Sequence, residues 1–143
     1  MDLQMTWNTE DLFPTPEAWD KAMEQLKGLI DELAARRGRF AGSAAELLRS
    51  AKLYEDSKIR FRRLALYASC NFDQDMSNGA AKERWGRFLN LNASMEERMA
   101  FLVPELMQYD MDTFNAYCKE EPELERYRHL AEDIFSRKEH VLD

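Results

Sequence analysis

"SAAELLRSAKLYEDSKIRFRRLALYASCNF", residues 43–72, runs without a glycine or proline. Its apolar positions Leu47, Ala51, Tyr54, Phe61, Leu64, Ala65, Ala68 and Phe72 share one broad face at the 3.6-residue period of an α-helix, not the two-residue period of a strand. Ser43 and Glu46 have the spacing of a capping box, in which hydroxyl and carboxylate each satisfy a free N–H at the helix start. One helix is therefore predicted over about 44–74, about 45 Å long at 1.5 Å per residue. That is long for a small domain, and it needs partners along its length.

The flanking segments supply them. After a turn at Ser77-Asn78-Gly79, residues Ala81, Trp85, Phe88, Asn92, Met95, Met99 and Leu102 recur at steps of three and four until Pro104. They predict a helix over about 80–102 that folds back antiparallel, with Phe61, Leu64, Ala68, Trp85 and Phe88 in the seam. Upstream, Thr15 caps and Pro16 opens a helix over about 16–36, where a missing N–H costs nothing. Trp19, Met23, Leu26, Leu29, Ile30 and Leu33 form its apolar face, and "RRGRFAG" (36–42) stops it. Downstream, a short helix is capped by Asp110 or Asp112, the chain breaks near Pro122, and a last helix runs through Tyr127, Leu130, Ala131, Ile134 and Phe135.

Composition agrees with an all-α fold: a long antiparallel helical hairpin with additional packed helices. Only 5 Gly and 4 Pro occur, against many residues of high helix propensity. With 143 residues, 45% of them hydrophobic and 33% charged, residues 1–143 are expected to form a single helical domain. A net charge of −7 argues against a nucleic-acid partner. The basic group Lys58, Arg60, Arg62 and Arg63 sits beside Glu55 and Asp56 and reads as a solvated helix face. No apolar run approaches the roughly 20 residues of a membrane span. Residues 1–13 lack the basic start and apolar stretch of a secretory signal. Cys70 and Cys118 have neither metal spacing nor a disulfide framework. A cytoplasmic protein is expected.

Residues capable of chemistry are few and badly spaced. His129 and His140 lie eleven residues apart, about 16 Å along a helix, too far to share a metal with bonds near 2 Å. The H-E-x-x-H pattern is absent, and Glu139-His140 reads as surface charge near a helix end. In "DQDMSNG" (73–79), Asp73, Asp75 and Ser77 match the first positions of a calcium loop. Asn78 stands where that loop needs glycine, however, and Arg84 where it needs a bidentate Glu, so the stretch reads as a turn. Glu96-Glu97 and Glu120-Glu121 are adjacent on helices and do not face one another. The Met and aromatic stripe from Trp85 to Met99 has core spacing. No catalytic, cofactor-binding or metal-binding residue is assigned.

Four segments in register carry a resemblance: "TWNTEDLFPTPEAW" (6–19), "RRLALYASCNFDQDMSN" (62–78), "FLVPEL" (101–106) and "LERYRHLAEDIFSRKEHVLD" (124–143). Together they resemble the N-terminal portion of the oligoendopeptidase F family of thimet-oligopeptidase-like zinc metallopeptidases. The resemblance implies a helical, cytoplasmic zinc peptidase that cleaves short peptides in a deep channel, with the zinc on an H-E-x-x-H helix downstream of residue 143. No zinc or catalytic residue carries over to this chain. The implied role is a non-catalytic N-terminal helical domain, a fragment of a larger peptidase, that helps form the channel wall. Its implied partners are the missing C-terminal catalytic region and, in the full-length protein, short peptides. Val141 and Leu142 at the end of the last helix are then expected to lack packing partners, leaving that helix free to self-associate. The competing expectation is a stand-alone α-helical interaction module.

Overall fold

The computed structural model describes residues 12–74 and 79–142, with side chains described for 12–70 and 79–136. The order is α1 (Pro16–Ala34), α2 (Ala44–Gln74), α3 (Gly79–Arg98), α4 (Leu102–Leu106), α5 (Met111–Glu120), a 3-10 helix (Pro122–Tyr127) and α6 (Arg128–Leu142). No strand occurs among the described residues, and the fold is all-α. None of their helices is long and apolar enough to cross a membrane.

Helix starts follow the predicted chemistry. Thr15 Oγ1 accepts from Ala18 N–H at 3.1 Å ahead of Pro16, Ser43 Oγ accepts from Glu46 N–H at 3.2 Å, and Asp110 rather than Asp112 caps α5, its Oδ1 taking Thr113 N–H at 2.9 Å. Helix ends depart from it. α1 stops at Ala34 because Arg36 and Arg37 donate to carbonyls three residues back, Leu33 and Ala34, which tightens the last turn. α3 stops at Arg98, not near 102, and Pro104 lies inside α4. As the third residue of that helix its missing N–H removes no intrahelical bond, so proline is accommodated where it was expected to terminate.

The described residues gather into two compact units, each assembled from separated stretches of chain. The first takes those up to Asp31 together with Asp56–Glu97. Its core joins Trp19, Met23, Leu26 and Ile30 of α1 to Leu64, Tyr67 and Ala68 of α2 and Phe88 and Leu91 of α3. Phe61 of α2 and Phe88 of α3 have ring centroids 5.0 Å apart across the antiparallel pair. The hairpin uses the second half of α2, since residues up to Glu55 belong to the other unit. Leu64, Ala68 and Phe88 occupy its buried seam, whereas Phe61 and Trp85 are only partly buried against it. Trp85 stacks on Phe88 at 5.6 Å and keeps one side toward solvent.

The second unit takes Glu32–Glu55 and the described residues from Arg98 on. Leu48 of α2 packs with Phe114, Cys118, Leu124, Tyr127 and Ala131, and a smaller cluster joins Leu33, Phe40 and Leu102. Phe135 packs at the edge of the former. The side chains of Glu139, His140, Val141 and Leu142, and the turn at 75–78, lie outside the described residues.

In the first unit Ser57 is fully buried, and its hydroxyl has no hydrogen-bond partner. A buried hydroxyl without a partner carries its desolvation cost uncompensated. Ser57→Ala, which also favours the helix, is expected to leave the urea midpoint unchanged or raise it. A drop of more than about 1 kcal/mol would show that the hydroxyl is satisfied in solution.

Candidate functional site

The most developed polar constellation among the described residues is built on the loop between α1 and α2, within the second unit. Arg36 is buried at 5% exposure, which a guanidinium tolerates only when its donors are engaged. Its Nε donates to Ser50 Oγ at 2.6 Å, and its Nη2 donates to the Glu46 carbonyl at 3.3 Å and to the Glu46 carboxylate. Ser50, itself fully buried, donates onward to the Phe40 carbonyl at 2.8 Å. The capping box is therefore half formed. Ser43 serves the helix start, but the Glu46 carboxylate turns to Arg36, where a charge-assisted bond to a buried cation outweighs one to an exposed amide.

The same loop is gripped from two further helices. Gly38 and Phe40 N–H donate to the two carboxylate oxygens of Glu105 in α4, the second at 2.9 Å, and Tyr117 of α5 donates to the Ala41 carbonyl at 2.9 Å. Gly38 has φ +87°, a left-handed conformation that glycine alone adopts without penalty. Burial pushes the Tyr117 hydroxyl above its ordinary pKa, which keeps it a donor. The bonds of this constellation run between groups of the same chain, and so it braces the loop.

A second cluster clasps α2 to the 3-10 helix through Lys52–Glu123 and Arg126–Glu55, each at 2.9 Å. Tyr127 lies buried beside it, its hydroxyl without a partner and pushed up in pKa chiefly by desolvation. A third centres on Arg128, which holds both oxygens of Glu125 at 2.7 Å, donates to Asn115 Oδ1 at 2.8 Å and lies over the Phe114 ring. Cys118 packs beneath it, and burial raises its thiol pKa, the opposite of what a nucleophile needs.

The other residues weighed for chemistry are scattered. Cys70 is half-buried, and His129 is fully exposed, with Glu132 at 3.9 Å. Arg60 pairs with Asp56 at 3.0 Å, and Arg63 donates to the Leu12 carbonyl and lies over Phe13. Among the described residues, no group of three or more His, Cys, Asp and Glu could hold a metal ion, so this donor set does not fit a zinc centre. Arg36, Ser50 and Glu105 were not legible as a constellation, because their partners lie 10 to 67 residues away in sequence.

Comparison with known proteins supplies what the side chains do not. The sequence profile described as Oligopeptidase F matches residues 105–143. Oligopeptidase PepF of Bacillus subtilis (strain 168) is 36% identical over 138 residues, 96% of this chain and 20% of that protein. Group B oligopeptidase PepB of Streptococcus agalactiae is 30% identical over 95% of the chain and 23% of its own length. The chain is similar to the N-terminal region of these oligopeptidase F and oligoendopeptidase F proteins. The crystal structure of oligoendopeptidase-F from Enterococcus faecium superposes with a TM-score of 0.78 at 24% identity, covering 89% of this chain and 25% of that one, and so shares its fold. The chain thus spans a fifth to a quarter of the length of the oligoendopeptidase F relatives it matches.

Proposed function

We propose that this chain is the non-catalytic N-terminal helical region of a zinc-dependent oligoendopeptidase that hydrolyses short peptides in the cytoplasm, and that it helps form the wall of the substrate channel. One observation supports this above others: the match to peptidases runs through 96% of the chain yet only 20% of a relative's length. The inward-turned polar groups of the loop constellation favour a scaffolding role, since a catalytic group must be free to meet substrate.

The test compares three proteins against a fluorogenic peptide: the 143-residue chain, the product of the reading frame continued past Asp143, and that product without residues 1–143. The continued frame is expected to contain H-E-x-x-H and to cleave. The 143-residue chain is expected to cleave nothing, and the truncated product to lose activity on longer peptides first. Chelator-sensitive cleavage by the 143-residue chain would overturn the proposal, as would a stop codon directly after Asp143 in the natural gene, which would favour the interaction module.

A further inference from the structure

We propose that the backbone at residues 38–40 is a carboxylate receptor, filled in the native chain by Glu105. Gly38 N–H donates to Oε1 and Phe40 N–H to Oε2, so two amides from one short loop converge on the two oxygens of a single carboxylate. Alternate amides converge in this way when a left-handed residue interrupts the chain, and Gly38 at φ +87° is that residue. The surroundings reinforce the preference for a negative ligand. Arg37 and Arg39 flank Gly38 and are exposed, and among the described residues neither has a carboxylate partner. Arg37 lies over the Phe101 ring instead. The positive charge of the loop stands out in a chain of net charge −7.

The ligand class follows from the donors. Two separated N–H groups, each aimed at its own oxygen, match the bite of a carboxylate. A spherical anion such as chloride has no second oxygen to place on the second N–H and bridges the pair less well, and a primary amide presents a donor to one of the two. Glu105 sits on α4, so the filled receptor ties that short helix to the loop, and an empty receptor releases it.

The experiment uses the 143-residue chain carrying E105A. Thermal unfolding is followed with increasing sodium formate, against sodium chloride at equal ionic strength. E105A is expected to melt below the native chain and to recover roughly 3 °C in formate but not in chloride, as a ligand specific for the folded state produces. The native chain should respond alike to the two salts. In E105A the Gly38 and Phe40 amide resonances should move as formate is added. Equal effects of the two salts on E105A, or formate rescue with those amides unmoved, would overturn the proposal. Should E105A fail to fold, E105Q decides: its Gly38 or Phe40 amide should exchange with solvent about tenfold faster than in the native chain, and unchanged exchange at both would overturn it.

Discussion

Trp19→Ala is expected to lower the unfolding free energy by about 3–5 kcal/mol, the range for emptying a buried aromatic site. Trp19 has no exposed surface and stands where all three helices of the first unit meet. Its indole N–H donates to the Leu64 carbonyl at 3.1 Å, its ring stacks on Tyr67 at 6.3 Å, and the Arg84 and Arg87 guanidinium groups lie over it at 5.8 and 5.5 Å. Truncation therefore removes a large apolar area, a tethering hydrogen bond and the ring on which two cations rest. The surrounding Met23, Leu26 and Leu64 are themselves buried and cannot move in without vacating their own positions. Trp85→Ala is the internal comparison. Trp85 is only partly buried, so its truncation should cost about half as much or less. Urea denaturation of both variants checks this, and equal shifts would mean that Trp19 is not the keystone of its core.

The second large effect is expected from Glu46→Ala, at about 2–3 kcal/mol. The substitution leaves the Arg36 side chain, 7% exposed, as a buried cation without its counter-charge, the costly way to break a partly buried pair. Glu46 itself is 39% exposed, so water can reach the gap and hold the effect to the lower part of the range. Lys52→Ala breaks an ion pair exposed on both sides, 48% and 60%, and should cost less than about 1 kcal/mol. High salt should narrow the Lys52 effect more than the Glu46 effect, because exposed charges are screened first. A Glu46→Ala cost no larger than that of Lys52→Ala would show that the guanidinium of Arg36 finds water or another partner.

Much of this architecture was legible in the sequence, for local reasons. The span of α2 followed from a run without helix breakers, and the start of α1 followed from Thr15-Pro16 and that of α5 from two candidate caps, Asp110 and Asp112, because a cap and its N–H lie three residues apart. The four segments in register resemble the N-terminal portion of oligoendopeptidase F, and the similarity to its relatives agrees with that resemblance. Depth of burial was not legible. Trp19 and Trp85 sit equally well on apolar faces, and periodicity names the face without saying what covers it.

The polar constellation shows the same division more sharply. Among the arginines of "RRGRF" nothing local distinguishes Arg36, and Glu105 looks like any exposed carboxylate of a short helix. Arg36 is the buried one because the turn after α1 brings it against Ser50 and Glu46. Glu105 matters because α4 lies within reach of two amides 65 and 67 residues earlier. The sequence by itself determined where most helices begin and which residues share a face, since caps and periodicity are written in short-range spacing, and it carried the resemblance to oligoendopeptidase F. Which tryptophan is the core, which arginine is buried and which carboxylate holds the loop were decided only by tertiary structure, because burial and charge pairing depend on groups far apart in sequence that the fold brings together.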